Sequence, residues 1–183
     1  TTKEDFFYSN GLSKIRFEQW GNVHGSLKEA DPDYLNAARN CQKLLERDFN
    51  KTTTQLHTHS PQSMNKSVLE ELEIKYHAEF ARTQSNKFRH ITDIAVTGYL
   101  YHHYVCLIGK GVKDYAKTQL IQQNHNFSKL YKNLLNEKNK LEGNLPLSFC
   151  VNDGANSYLN EKWNLETINF LEHYFPERSS FEI

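Results

Sequence analysis

The chain is poor in cysteine, carries no net charge and has no apolar stretch long enough to span a bilayer, and each shortage removes a class of function. Its three cysteines, Cys41, Cys106 and Cys150, are widely spaced over 183 residues. They sit in apolar sequence, which suits reduced core thiols and argues against a disulfide framework or a zinc site. A reducing cytoplasm is the expected setting. Lys and Arg number 22, as do Asp and Glu, so the electrostatic footprint of a polyanion-binding protein is missing and no nucleic acid is expected as a partner. The longest apolar run, around Val96 to Ile108, is interrupted by Thr97, His102 and His103 and is too short and polar to cross a membrane. No repeat, low-complexity tract or long linker divides the sequence. A hydrophobic content of 38% and a mean hydropathy of −0.74 over 21.5 kDa fit one soluble domain, residues 1–183, with a real core and a polar surface.

What is present is patterned. Lys14 to Trp20 alternates with period two and predicts a half-buried strand with Ile15 and Phe17 on its apolar face. Asp31 before Pro32 reads as an N-cap, followed by a helix over 32–49 whose stripe is Leu35, Ala38, Cys41, Leu45 and Phe49. Thr53 to Thr58 predicts a short strand that delivers His57 and His59 to one side. Ser67-Val68-Leu69-Glu70 has the form of a capping box, opening a helix to about Arg82 with Leu69, Leu72, Tyr76 and Phe80 inward. Thr92 or Asp93 caps a third helix that is apolar on most sides and stops at Gly109, which makes it central to the core. Further on, Asp114 to Gln122 predicts a strand, Asn126 to Leu141 an exposed lysine-rich helix, and Leu145 to Val151 a buried strand ending at Asn152-Asp153-Gly154. Asn164 caps a last helix with the stripe Leu165, Ile168, Leu171 and Phe175, and Pro176 stops it. The class is α/β and helix-rich: several helices on a small mixed sheet.

Several side chains could carry chemistry. His57 and His59, at a strand end before Pro61, can be ligands, a general base or ordinary polar residues. Arg89 follows Phe88 at the entrance to the most buried helix, where a guanidinium caps a helix, pairs with Asp93 or meets an anion. Asn86 and Lys87 are close enough in the chain to assist it. Asn152 and Asp153 at a strand end suit either a turn or a carboxylate and amide presented at a sheet edge, and Asp153 could supply one oxygen to a divalent cation. Tyr101, His102, His103 and Tyr104 are adjacent on a helix, point in different directions and read as core packing. The closing segment from Phe175 to Glu182 reads as a helix stop with a docked aromatic tail.

Taken in order, these segments resemble the Stealth family of sugar-phosphate transferases, which includes bacterial capsular polysaccharide phosphotransferases. His57 to about Gly109, with His59-Ser60-Pro61 and Phe88-Arg89, looks like the family's third conserved block. Phe149 to Glu182 looks like the fourth, and Asp5 to Phe49 like the tail of the second. The resemblance implies the C-terminal part of a Rossmann-like or GT-A-like catalytic domain, whose nucleotide-binding block would precede Thr1. It also implies transfer of a hexose or hexosamine 1-phosphate from a UDP-sugar to a sugar hydroxyl of a polysaccharide acceptor. His59, Arg89 and Asp153 would then be catalytic, with His57, Asn86, Lys87 and Asn152 binding substrate and Mg²⁺ or Mn²⁺ held through Asp153. The implied location is the cytoplasm, at the inner face of a bacterial inner membrane with peripheral association. The competing expectation is a non-catalytic helical interaction module.

Overall fold

The computed structural model describes residues 3–123, 126–140, 144–152 and 159–181, and the chain falls into two compact units, residues 1–116 and 117–183. Asp153, Gly154 and Glu182 therefore lie outside the described residues. The class is mixed α/β, as the patterning predicts.

The N-terminal unit is organised around one long strand. A short helix α1 (Lys3–Phe7) leads into β1 (Tyr8–Ser9), which pairs antiparallel with β2 (Leu12–Asn22). Asn10 and Gly11 between them both have positive φ, 50° and 77°, the backbone that a two-residue hairpin requires and that Asn-Gly tolerates best. Helix α2 (Asp33–Phe49) follows, then β3 (Gln55–His57), antiparallel to β2 with Phe17 opposite His57. Helices α3 (Lys66–Lys75) and α4 (His77–Ser85) break at Tyr76. A π-helical turn (Val96–Leu100) then opens α5 (Tyr101–Leu107), and β4 (Gly111–Asp114) pairs parallel with β2. Gly111 permits this: a Cβ there would stand 2.9 Å from Val105 Cγ1.

The core forms where the helical stripes meet β2. Ile15 and Phe17 pack with Cys41 and Leu45 of α2, Leu72 of α3 and Leu100, Tyr101 and Val105 around α5. Five consecutive α5 residues, Tyr101 to Val105, are buried, so this helix is central, as its composition predicts. The Cys41 thiol is pushed up to about 12 by burial, the behaviour of an inert core thiol.

The C-terminal unit pairs β5 (Thr118–Gln122) with β6 (Ser148–Asn152) in parallel and packs α6 (Phe127–Lys138) and α7 (Glu161–Tyr174) around Ile121. The Tyr131 and Phe170 rings stack 4.1 Å apart and 7° from parallel.

Several expectations are corrected. The single strand over 114–122 is two strands, β4 and β5, in different sheets, because Tyr115 to Lys117 leaves the first ladder before the second begins. Asp31 does not cap α2; it pairs with Arg39 Nη1 at 2.6 Å, while Pro32 stands at the N-cap without a side-chain bond. Asn65, rather than Ser67, caps α3, its Oδ1 accepting from Ser67 N at 2.9 Å. The third helix begins at Val96 rather than Thr92, since Asp93 spends its carboxylate on the preceding loop. Asn160 caps α7 in place of Asn164. That helix is rotated from the expected stripe: Phe170 and Tyr174 are buried and Leu171 packs against them, whereas Leu165, Ile168 and Phe175 are at least half exposed. Aromatic partners decide the rotation, because Phe149 meets both Phe170 and Tyr174 edge-on. Helix α6 is not wholly exposed, since Phe127, Tyr131 and Leu134 are buried. Phe181 is 92% exposed, so the aromatic tail is not docked at that residue.

Candidate active site

The His-Ser-Pro turn is held in place by a residue that alternation alone puts on the wrong side. Arg16 lies between Ile15 and Phe17 and should face solvent, yet it is fully buried. Its Nη1 donates to Pro61 O at 3.1 Å and its Nη2 to Phe6 O, and the guanidinium lies 4.0 Å over the Phe6 ring. Nε stands 3.3 Å from Asp114 Oδ2, a charge contact rather than an aligned hydrogen bond, across the β2–β4 register that pairs these two residues. The Arg16 backbone is engaged as well. Its N–H donates to Gln62 Oε1, and its carbonyl accepts from Gln62 Nε2 and from Thr58 N. Residues 58–62 are thus clamped to β2 by one arginine. The signal in the sequence was an arginine between two core residues, a position that exacts a desolvation cost unless it is paired.

Three imidazoles follow from this clamp. His59 is exposed at the turn, and its ring lies 6.3 Å from that of His57. His57 in turn stacks on His102 of α5, centroids 4.7 Å apart and planes 16° from parallel. Burial, and next the neighbouring His59, hold the His57 pKa below the ordinary imidazole value, opposed by the backbone of Gly98. His102 is pushed down to about 3 by burial first and then by His57 and His103. Among the described residues, neither His102 nitrogen and not Nδ1 of His57 has a hydrogen-bond partner. His103, held at about 4, is tied to Gln55 O at 2.9 Å. His57, His102 and His103 are neutral near pH 7, for burial disfavours the imidazolium.

Arg89 is exposed rather than buried at a helix entrance, so no desolvation forces an anion on it. It lines a cavity of about 380 Å³ with His90 and Asp93, with Asp33 and Tyr34 of α2, with Ala95, and with Val96 to Gly98 of the π-helical turn. Gly98 connects this cavity to the imidazoles: a Cβ on it would lie 3.9 Å from His57 Cε1. The expected alternative of an Arg89–Asp93 pair is not formed. Asp93 accepts from Asn86 Nδ2 at 2.6 Å and from His90 N at 2.8 Å, which leaves the Arg89 guanidinium with no carboxylate partner among the described residues. Asn86 therefore shapes the loop through Asp93. Lys87 is exposed, its Nζ 5.5 Å over the Phe88 ring. The backbone N–H groups of Val96, Thr97 and Gly98 precede the first helical bonds, which Tyr99 and Leu100 donate to Ala95 O, and so add donors near the cavity.

Residues 58–106 match the family model described as Stealth protein CR3, conserved region 3. Residues 58–106 thus carry a conserved region of the Stealth type. It is 57% identical over 181 residues, 98% of its length, to the capsular polysaccharide phosphotransferase SacB of Neisseria meningitidis serogroup A, covering 33% of that protein. It is 38% identical over 193 aligned positions, 99% of its length, to the exopolysaccharide phosphotransferase CpsY of Mycobacterium leprae, of which it covers 35%. An exopolysaccharide phosphotransferase of Nocardia farcinica is 31% identical over 97% of the chain, with 34% of that protein covered. The chain thus spans about a third of the length of these relatives. The Stealth block holds His59, Asn86, Lys87 and Arg89 and also His102 and His103, with His57 just outside it.

Asn152 lies at the end of β6 in the C-terminal unit, where its Nδ2 donates to Gln122 Oε1 at 3.0 Å. Among the described residues no group of three His, Cys, Asp or Glu side chains is placed to hold a metal ion, and no helix is long and apolar enough to cross a membrane. Arg16, His90, Asp93 and His102 are the residues that sequence reasoning did not place at this site.

Proposed function

We propose that this chain supplies the phosphoryl-binding and proton-handling part of a phosphotransferase of capsular or exopolysaccharide synthesis, acting in the cytoplasm at the inner face of the bacterial membrane. The reaction is transfer of a hexose or hexosamine 1-phosphate from a UDP-sugar to a sugar hydroxyl. One observation carries the reading: Arg89, with no carboxylate partner among the described residues, lines a cavity whose Gly98 wall backs onto His57, the ring next to His59. The names of the relatives support the reaction class.

The acceptor hydroxyl attacks the phosphorus that bears the donor sugar; a new O–P bond forms and the P–O bond to the UMP leaving group breaks. Negative charge develops on the phosphoryl oxygens, where the Arg89 fork and nearby backbone N–H groups stabilise it. His59, exposed at the turn, takes the hydroxyl proton. His57 stays neutral beside it and so adds no repulsive charge when His59 is protonated. Lys87 belongs to the same reading as a substrate contact; Asn152 and Asp153, in the C-terminal unit, are proposed separately, Asn152 as a substrate contact and Asp153 as an oxygen ligand for Mg²⁺ or Mn²⁺. The described residues form no such ligand set, and no step here depends on the ion.

The test is His59→Ala in the full-length protein, assayed with a UDP-N-acetylhexosamine donor and an oligosaccharide acceptor. Loss of a general acid–base lowers the rate by about 10²–10⁴. Activity within a few-fold of wild type would remove His59 from the mechanism.

A further inference from the structure

The cavity that Arg89 lines has a second wall, to which the transfer reaction above assigns no role. One face of α2 supplies it: Asp33 and Tyr34 lie one turn before Ala37, and all three line the cavity. The next turn of the same face ties α2 to the loop that carries Arg89. Asn40 Nδ2 donates to Ile91 O at 2.8 Å and to Asp93 O at 2.9 Å, and Cys41 Sγ accepts from Ala95 N at 3.3 Å. Helix α4 holds the loop as well, with Thr83 Oγ1 accepting from Ile94 N at 3.1 Å and Arg82 Nε donating to Thr92 O at 3.3 Å. Asp33, Tyr34 and Arg89 are thus set around one space by a hydrogen-bonded frame.

Neither Asp33 nor Tyr34 does structural work that would explain its residue type. Tyr76, Tyr99, Tyr101 and Tyr104 of the same unit are buried, whereas Tyr34 is 54% exposed. Among the described residues its ring pairs with no other ring or cation, and its hydroxyl has no hydrogen-bond partner. Asp33 is exposed and forms no ion pair or side-chain hydrogen bond there. Ala37 is buried, and its single methyl leaves that side of the cavity open. The three functional side chains have different chemistries: the Arg89 guanidinium only donates, the Asp33 carboxylate only accepts, and Tyr34 offers an apolar face with a polar tip. A free phosphate brings acceptors alone and is repelled by Asp33. A sugar phosphate brings acceptor oxygens at one end, donor hydroxyls around the ring and an apolar face of C–H groups. The cavity, about 380 Å³, falls within the range of small-ligand pockets, roughly 300–1,000 Å³.

We propose that Asp33 and Tyr34 are the sugar-recognition residues of this cavity: the pyranose of a sugar phosphate lies on the Tyr34 ring and donates a hydroxyl hydrogen bond to the Asp33 carboxylate, while Arg89 takes the phosphate. They determine which substrate is held and take no part in bond making. The proposal rests on the phosphoryl role of Arg89 put forward above. Donor and acceptor pyranoses share this chemistry, and the test separates them.

The test is a calorimetric titration of the full-length protein with N-acetylglucosamine 1-phosphate, inorganic phosphate and UMP, in wild type, Tyr34→Ala, Tyr34→Phe, Asp33→Asn and Arg89→Gln. Tyr34→Ala should weaken the sugar phosphate about tenfold, Tyr34→Phe less than about threefold, and neither should change inorganic phosphate. Asp33→Asn should weaken the sugar phosphate about tenfold and strengthen inorganic phosphate, because an acceptor for the hydroxyl and a repelling charge are lost together. Steady-state kinetics then assign the ring: Tyr34→Ala raises KM for the UDP-sugar if the donor pyranose lies there, or for the oligosaccharide acceptor if the acceptor does, with kcat little changed. Arg89→Gln should weaken both the sugar phosphate and inorganic phosphate. Absence of that effect, with the Tyr34 and Asp33 effects intact, would remove Arg89 from the phosphate and leave the sugar subsite standing. A sugar-phosphate affinity unchanged in Tyr34→Ala and Asp33→Asn would overturn the proposal. So would an equal loss for inorganic phosphate, or UMP weakened by Tyr34→Ala as strongly as the sugar phosphate, the mark of a base stacked on the ring.

Discussion

The Arg16 guanidinium, sealed from solvent, donates to the carbonyl of Pro61 at 3.1 Å. This contact joins the central strand to the turn that presents His59, so the stability of β2 and the placement of the His59 imidazole depend on the same side chain. Burial lowers the Arg16 pKa and the Asp114 charge opposes that, the arrangement of a cation kept in the interior by its anion.

Asp114→Asn should therefore be far more damaging than a partly exposed carboxylate suggests, because it leaves Arg16 buried without its counter-charge. Breaking such a pair costs about 3 kcal/mol or more. Urea unfolding should show a matching fall in midpoint, and the Thr58 amide, bonded to Arg16 O, should exchange faster. A change below about 1 kcal/mol would mean that hydrogen bonds alone hold the arginine.

The buried imidazoles make stability fall in acid. His102 and His103 have folded pKa values near 3 and 4 against about 6.5 unfolded. Between these limits the unfolded chain binds more protons, so stability is fully present above about pH 6.5 and is lost as the pH falls toward the folded values. Each histidine contributes up to about 1.4 kcal/mol per pH unit in that window. His102→Phe, which keeps the stack on His57, should flatten the decline between pH 6.5 and 5, as read from the unfolding free energy; an unchanged slope would show that His102 is not buried neutral.

Helix α7 packs Phe170, Leu171 and Tyr174 on the core and leaves Leu165 and Ile168 exposed. Phe170→Ala removes the ring stacked on Tyr131 and should cost about 3–5 kcal/mol. Leu165→Ser and Ile168→Ser, on the exposed face, should change stability by about 0.5 kcal/mol or less. The reverse ranking in thermal unfolding would restore the stripe that periodicity favours.

Much of the architecture was legible because local rules and burial agree. The α2 stripe through Ala38, Cys41 and Leu45, the buried helix ending at Gly109, and the strand bearing Ile15 and Phe17 are all read from spacing. What was not legible depends on partners distant in sequence. Arg16 breaks the alternation of β2 because Asp114, Phe6 and Pro61 converge on it, and no window around residue 16 contains them. The face of α7 is chosen by Phe149 and Tyr131, which a helical stripe of Leu165, Ile168 and Phe175 cannot reveal. The caps were missed by a few residues, since Asn65 and Asn160 compete with the equally plausible Ser67 and Asn164. At the site, the order of His59 and Arg89 was readable from the family pattern. The His57–His102 stack and the release of Arg89 from Asp93 required coordinates.

The central claim is that Arg89 stabilises a developing phosphoryl charge, and it is tested most directly by UMP release from UDP-N-acetylhexosamine in the full-length protein carrying Arg89→Lys. A lysine keeps the charge and loses the two parallel N–H bonds of the guanidinium fork. The account predicts a fall of about 10²–10³ in rate, close to that of Arg89→Ala, with the unfolding midpoint unchanged because the side chain is exposed. Release within a few-fold of wild type would contradict it.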